Sequence, residues 1–183
     1  MWLEKENCAI MAIDMQEKLL QVMPSKEEVI KNNRILLKAA NEFSIPLIFT
    51  EQYPQGLGET TEILKNPLKQ AKYFEKMTFS ALRLKECEDY LKKLDKNVII
   101  LTGIETHVCV LSTALELLEK NYTVVVPADT TTSRENGFYN WGLSLLKQEG
   151  VKIMPAESIV FYWLKEAGTP QFKKVQHIIL GKE

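Results

Sequence analysis

Val98-Ile99-Ile100-Leu101-Thr102-Gly103-Ile104-Glu105-Thr106-His107-Val108-Cys109-Val110 is the stretch that decides the fold. Its first five residues are apolar or β-branched, as a strand buried on both faces of a parallel sheet requires. A tight turn follows. Between Val108 and Lys120, Leu111, Leu115 and Leu118 then recur at helical spacing. Strand, turn and helix in that order predict Cys109 in the first turn of a helix. The positive field of a helix N-terminus favours thiolate over thiol. With Thr106 as N-cap, Cys109 is the third helical residue, and Thr106 Oγ is expected to accept its backbone N–H.

The same alternation runs along the chain. Cys8 to Ile13, Pro46 to Thr50, Tyr122 to Val126 and Val151 to Met154 are further strand-like apolar runs, with a weaker one at Ala71 to Phe74. Helical patterns lie between them at Val29 to Phe43, Ser80 to Leu94 and Gly142 to Gln148. Strand-helix alternation predicts an α/β sandwich with a parallel sheet and right-handed crossovers. At 183 residues, with no repeat or linker, the chain reads as a single domain, 1–183. The stretch from Glu51 to Pro67, with two glycines and two prolines, reads as a long loop after a strand, where binding sites are often built.

Composition narrows the function classes. A net charge of -1 without a basic block argues against nucleic acid and against an acidic membrane surface. No apolar run approaches the ~18 to 20 residues that span a bilayer. Met1 to Ala9 lacks the pattern of a signal peptide. Three widely spaced cysteines, Cys8, Cys87 and Cys109, form no disulfide framework, and a reducing, cytoplasmic setting is expected. With only two histidines, His107 and His177, a zinc site built on several histidines is not available.

In open α/β sheets ligands bind beyond the carboxyl ends of the strands. Asp14 ends the first apolar run, Lys76 follows the weak one, and Cys109 follows Val98 to Thr102 across a turn. A carboxylate, a cation and a thiol thus arrive at one sheet edge. Each also has a plainer role: a small core cysteine, a capping aspartate, a solvated lysine neutralised by Glu75. Cys8 and Cys87 read as core. Asp129 reads as the cap of the turn Thr130 to Ser133. His107 is a poor partner for the thiol, since helical neighbours point about 100° apart, and reads as lining the pocket mouth or reaching solvent. Gln16, Tyr53 and Phe79 are further pocket candidates, and Trp163 belongs either there or in the core.

The motifs Ile13-Asp14-Met15-Gln16, Lys76 with Phe79-Ser80, Gly103 to Val110, and Ala128-Asp129 followed by Ser133-Arg134 resemble the isochorismatase-like cysteine hydrolases. Thr50-Glu51-Gln52-Tyr53-Pro54 with Gly56-Leu57-Gly58 looks most like the isochorismatase domain-containing proteins. The resemblance runs from Ala9 to about Phe172. It implies a three-layer αβα sandwich around a six-stranded parallel, Rossmann-like sheet. It also implies a catalytic triad of Asp14, Lys76 and Cys109, a cis peptide between Ile104 and Glu105, and an oxyanion hole from the backbone N–H groups of Glu105 and Cys109. Assembly into dimers or tetramers follows from the same resemblance, as does hydrolysis of C–N bonds other than peptide bonds.

Similar nicotinamidases carry an Asp-x-His metal motif after the second strand. Thr50 to Pro54 has no histidine, so no metal and no other cofactor is expected. The resulting expectation is a metal-independent cysteine hydrolase, acting on a small amide or related carbonyl compound through a thioester. The alternatives are a non-catalytic binding or scaffold protein of the same fold, a vinyl-ether hydrolase, and a redox-responsive thiol protein.

Overall fold

The computed structural model describes residues 3–66, 68 and 70–182. Met1, Pro67 and Glu183, which bound three of the sequence expectations, lie outside the described residues. In chain order the elements are β1 (Cys8–Ile13), α1 (Glu17–Leu20), α2 (Lys26–Glu42), β2 (Leu47–Gln52), α3 (Pro54–Leu57), α4 (Glu62–Lys65), β3 (Lys72–Lys76), α5 (Lys85–Lys93), β4 (Val98–Ile104), α6 (Leu111–Glu119), β5 (Thr123–Pro127), β6 (Thr131–Thr132), α7 (Asn136–Gln148), β7 (Lys152–Met154), α8 (Ala156–Leu164) and α9 (Pro170–Leu180). Six strands form a parallel path in the order β3-β2-β1-β4-β5-β7. The seventh, β6, is only two residues long and pairs beside the end of β4, Gly103 with Thr131 and Ile104 with Thr132.

Alternation along β1 builds the three layers. Cys8, Ile10 and Ala12 face a core closed by Leu36, Leu37, Ala40, Ile159, Trp163 and Val175 of α2, α8 and α9. Ala9, Met11 and Ile13 face the opposite core, closed by Cys87, Leu91, Ala114, Leu117 and Leu146 of α5, α6 and α7. Period-2 side chains on a strand covered on both faces explain why β1 reads as an unbroken apolar run. Trp163 is core, packed edge-on against Phe43 with ring centroids 5.8 Å apart, and does not line a pocket.

Several helices depart from the sequence pattern. The Ser80 to Leu94 pattern opens as a 3-10 turn, Ala81–Arg83, before α5 proper; Ala81 N donates to Thr113 Oγ1 at 3.1 Å and Leu82 N to Ser80 Oγ at 3.2 Å. Helix α7 begins six residues before Gly142, because only Gly142 and Leu146 of it are buried and its first turn carries no apolar period. Helix α8 has no counterpart among the helical patterns of the sequence; Ile159, Val160 and Trp163 bury one side of it. The C-terminal segment forms α9, whose Val175 and Ile178 are buried, Val175 in the core of α2 and α8. Its ends follow capping chemistry: Thr169 Oγ1 accepts from Phe172 N at 3.0 Å, Pro170 opens the first turn, and Gly181 closes it in the left-handed region. Among the described residues, no helix is long and apolar enough to cross a membrane.

Strand order determines what meets at the carboxyl edge. Because β1 lies between β2 and β4, Ile13 is level with Thr50 on one side and Gly103 on the other. Gly103 has φ +107°, and a Cβ there would lie 2.0 Å from the Ile13 carbonyl oxygen. Only glycine permits that approach. The peptide between Ile104 and Glu105 is cis.

Candidate active site

Asp14 leaves β1 in the left-handed region, φ +52°, which aspartate tolerates better than most residues. Its N–H donates to Thr50 O at 3.0 Å and its own carbonyl accepts from Gln16 N at 2.7 Å, so the turn is tied on both sides. The carboxylate is fully buried. Thr50 Oγ1 donates to Oδ1 at 2.7 Å and Lys76 Nζ donates to Oδ2 at 2.7 Å.

Lys76 is the last residue of β3, level with Gln52 at the end of β2. Its ammonium has three N–H donors. They meet Asp14 Oδ2 at 2.7 Å, Gln52 Oε1 at 2.7 Å and the Thr78 carbonyl at 3.1 Å. Glu75 sits on the opposite side of the strand and accepts from Gln55 Nε2 at 3.1 Å, so the neutralising Glu75–Lys76 pair does not form. The Lys76–Asp14 side chains are 1% exposed on both sides. A buried pair of this kind is sustained only if its remaining donors and acceptors are satisfied, and Thr50, Gln52 and Thr78 do that.

Cys109 lies in a π-helical turn, Thr106–Val110, ahead of α6, and is 8% exposed. Its thiol interacts with both the Asp14 carboxylate and the Lys76 ammonium. Burial, and then the Asp14 charge, push the thiol up to about 12, while Lys76 pulls the other way. The expectation of a helix-stabilised thiolate is therefore corrected. Desolvation and the neighbouring carboxylate outweigh the lysine and favour the neutral thiol. Thr106 does not cap Cys109 either. The cap position is Glu105, without a side-chain bond, and Thr106 Oγ1 pairs with Thr131 Oγ1 at 2.7 Å. Cys8 and Cys87, raised to about 11 and about 12 by burial, have no such pair of charged hydrogen-bonding partners.

A thiol held near 12 is ionised to roughly one part in 10⁵ at pH 7. Iodoacetamide labelling of Cys109 in the native protein is thus expected to be slow at neutral pH and to rise about tenfold per pH unit up to pH ~11. Asp14→Asn removes the charge that opposes the thiolate, so it should speed labelling at pH 8. Peptide mass mapping against time checks both.

The outer candidates divide. Gln16 is buried, but its amide is committed to backbone. Nε2 donates to Gln52 O at 2.9 Å and to Gly58 O at 2.5 Å, and Oε1 accepts from Gln52 N at 2.7 Å. It fastens the segment after β2, including α3, and is not free to meet a ligand. Tyr53, 47% exposed, and Phe79, 61% exposed, follow the ends of β2 and β3 on the outer surface. His107 is half-buried, with Nδ1 2.9 Å from Ser133 Oγ and its ring stacked on Phe138 at 4.7 Å. Asp129 Oδ1 accepts from Ala156 N at 2.8 Å, so it caps α8 and not the Thr130 to Ser133 turn. The sequence pattern does not mark Thr50, Gln52 and Thr78 as partners of the pair: Thr50 and Gln52 reach it through the registers of β1, β2 and β3, and Thr78 through the turn after Lys76. No group of three His, Cys, Asp or Glu among the described residues could hold a metal ion.

Residues 8–158 match the isochorismatase domain family. The chain is similar to isochorismatase domain-containing protein 2 of Xenopus laevis, at 37% identity over 97% of this chain and 86% of that one. Among solved structures it is similar to the MAR1 ribonuclease of Caenorhabditis elegans, at 36% identity and a TM-score of 0.91, covering 97% of this chain and 91% of that one. It shares the fold of the Escherichia coli YcaC gene product, described as an octameric hydrolase of unknown specificity. There the TM-score is 0.89 at 20% identity, covering 97% and 90% of the two chains.

Proposed function

The chain belongs to the isochorismatase domain family, and from that premise we propose that it is a metal-independent cysteine hydrolase acting on a small amide or related carbonyl compound. The observation that carries this is the buried Asp14–Lys76 pair, 2.7 Å apart, whose charges both act on the Cys109 thiol. A thiol with an adjacent base and a charge partner is the arrangement that nucleophilic catalysis needs.

The steps follow from the positions. Asp14 takes the Cys109 proton as Sγ attacks the carbonyl carbon. The π bond opens to an oxyanion, which the backbone N–H groups of Glu105 and Cys109 receive. Removing one donor of such a hole typically costs about 10² to 10³ in rate. Collapse breaks the C–N bond, and the leaving amine takes the proton from Asp14. A water then gives its proton to Asp14 and attacks the thioester. The acid departs and the proton returns to sulfur. Lys76 has all three donors engaged within the chain. It therefore acts on the reaction through its charge, offsetting the negative charge that passes from carboxylate to sulfur to oxyanion.

The protein is taken to work as a homo-oligomer in a reducing, cytoplasmic compartment. The octameric E. coli YcaC gene product, which shares the fold, supports the first, and three unpaired cysteines the second. A ribonuclease activity, as the C. elegans relative is named, is a second reading that the 36% identity to that protein favours. The net charge of -1 weighs against it.

The test is a panel of small amides, p-nitrophenyl acetate and a single-stranded oligoribonucleotide, incubated with the protein and with Cys109→Ala. Acid release from an amide or the ester by the wild type alone is the expected result. Cleavage of the oligoribonucleotide alone, equal in both proteins, would replace this function with the second.

A further inference from the structure

The Ser133-Arg134 motif has no part in the steps above, yet it is tied to Glu105. Both carboxylate oxygens of Glu105 are held by this one residue: Arg134 Nη1 donates to Oε1 at 2.7 Å and the Arg134 backbone N–H donates to Oε2 at 2.9 Å. The Glu105 carbonyl is also occupied, accepting from Val108 N at 3.1 Å and from Val110 N at 3.2 Å. The Arg134 guanidinium lies 5.5 Å from the Phe138 ring centroid. Phe138 stacks on His107 at 4.7 Å, and His107 bonds Ser133, next to Arg134 in the chain, at 2.9 Å. The contacts close a ring through the nucleophile turn, the segment after β6 and the first turns of α7.

We propose that Arg134 is a positioning residue for the oxyanion hole. It fixes the orientation of the Glu105 peptide, and its charge cancels that of a carboxylate lying one side chain away from the developing oxyanion. The proposal rests on the hydrolase mechanism above. The geometry gives it two separable parts. Rotation of Glu105 is blocked at its side chain by Arg134 and at its carbonyl by the π turn, so losing Arg134 frees the residue only partly. With the guanidinium gone, the carboxylate keeps only the backbone N–H of residue 134 at Oε2, and its uncancelled charge acts against negative charge on the substrate oxygen. The guanidinium is 53% exposed and the Glu105 side chain 14% exposed. Pairs in that setting add little to folding stability, so a loss of rate should appear without a loss of fold.

The experiment uses p-nitrophenyl acetate hydrolysis and amide hydrogen exchange by NMR, on wild type, Arg134→Ala, Arg134→Lys, the double variant Arg134→Ala with Glu105→Gln, and Cys109→Ala. For Arg134→Ala, kcat is expected to fall about 10- to 100-fold with KM changed less than twofold, at an unaltered thermal midpoint. Exchange at Glu105 should accelerate. Arg134→Lys, which keeps the charge, should recover most of kcat, and so should the double variant, which removes the opposing carboxylate. An unchanged kcat for Arg134→Ala, or a loss that Arg134→Lys and the double variant both fail to recover, overturns the proposal. Cys109→Ala separates the two claims. If it hydrolyses the ester as well as wild type, the hydrolase mechanism fails, and the exchange rate at Glu105, which needs no substrate, still decides whether Arg134 holds that peptide.

Discussion

Cys109→Ala is expected to lower turnover by at least about 10⁴-fold on any substrate the wild type hydrolyses. Removing the nucleophile of a comparable triad costs about that much or more, and what remains is the catalysis given by binding and the oxyanion hole. Cys109→Ser should do little better, since a hydroxyl in a site that already holds a thiol near 12 meets the same burial and the same carboxylate. The fold should survive. Cys109 is one small side chain on the α5–α6–α7 side of the sheet, and trimming it to alanine costs about 1 kcal/mol. Steady-state rates and a thermal melt on the same preparation separate the two effects. A Cys109→Ala protein with wild-type rates would remove the thiol from the chemistry.

Lys76→Met is expected to be the costliest single change to stability in the site, about 3 to 5 kcal/mol by urea unfolding. The lysine and Asp14 are both buried. Removing one partner of a buried pair leaves the other charge without compensation. Asp14 would keep the Thr50 hydroxyl at Oδ1 and the Cys109 thiol but no positive charge, and Gln52 Oε1 and the Thr78 carbonyl would each lose their donor. Asp14→Asn should be much milder for folding. Asparagine accepts a φ of +52° and still offers a carbonyl oxygen to Lys76, and the ammonium keeps Gln52 and Thr78. Its cost falls on the rate, because the amide cannot take the thiol proton. Paired replacement, Asp14→Leu with Lys76→Met, should recover a large part of the stability that Lys76→Met loses, with no activity. If Lys76→Met unfolds within 1 kcal/mol of wild type, the pair does not hold the buried charge balance.

Much of the fold is legible because the central strands are covered on both faces. Cys8 to Ile13 is an uninterrupted apolar run with the same ends as β1. β3 is harder to see because it is an edge strand with Lys72 and Glu75 exposed, and its last buried residue is a lysine. Asp14, Lys76 and Cys109 can be found as reactive residues at the ends of runs, and strand order brings them together. Their partners cannot be found that way. Gln52 meets Lys76 only because β2 and β3 pair in one register, and Thr131 reaches Gly103 only because β6 pairs with β4. Neither register is written in a local pattern.

Cys109 carries the other lesson. Strand, turn and helix suggested a stabilised thiolate, but a backbone pattern does not report burial or the distance to a carboxylate. Those two terms set the thiol's resting state. Gln16 failed as a pocket residue for a similar reason. Its sequence neighbours mark the site, while its amide is spent on the backbone of Gln52 and Gly58.

The most direct measurement is the intact mass of the protein after rapid acid quench during turnover of its best amide or ester. A thioester on Cys109 appears as an added acyl group that maps to the Cys109 peptide and is released by hydroxylamine. Steady turnover by the wild type with no added mass at any quench time, and with Cys109 still open to alkylation throughout, would contradict covalent catalysis by this thiol.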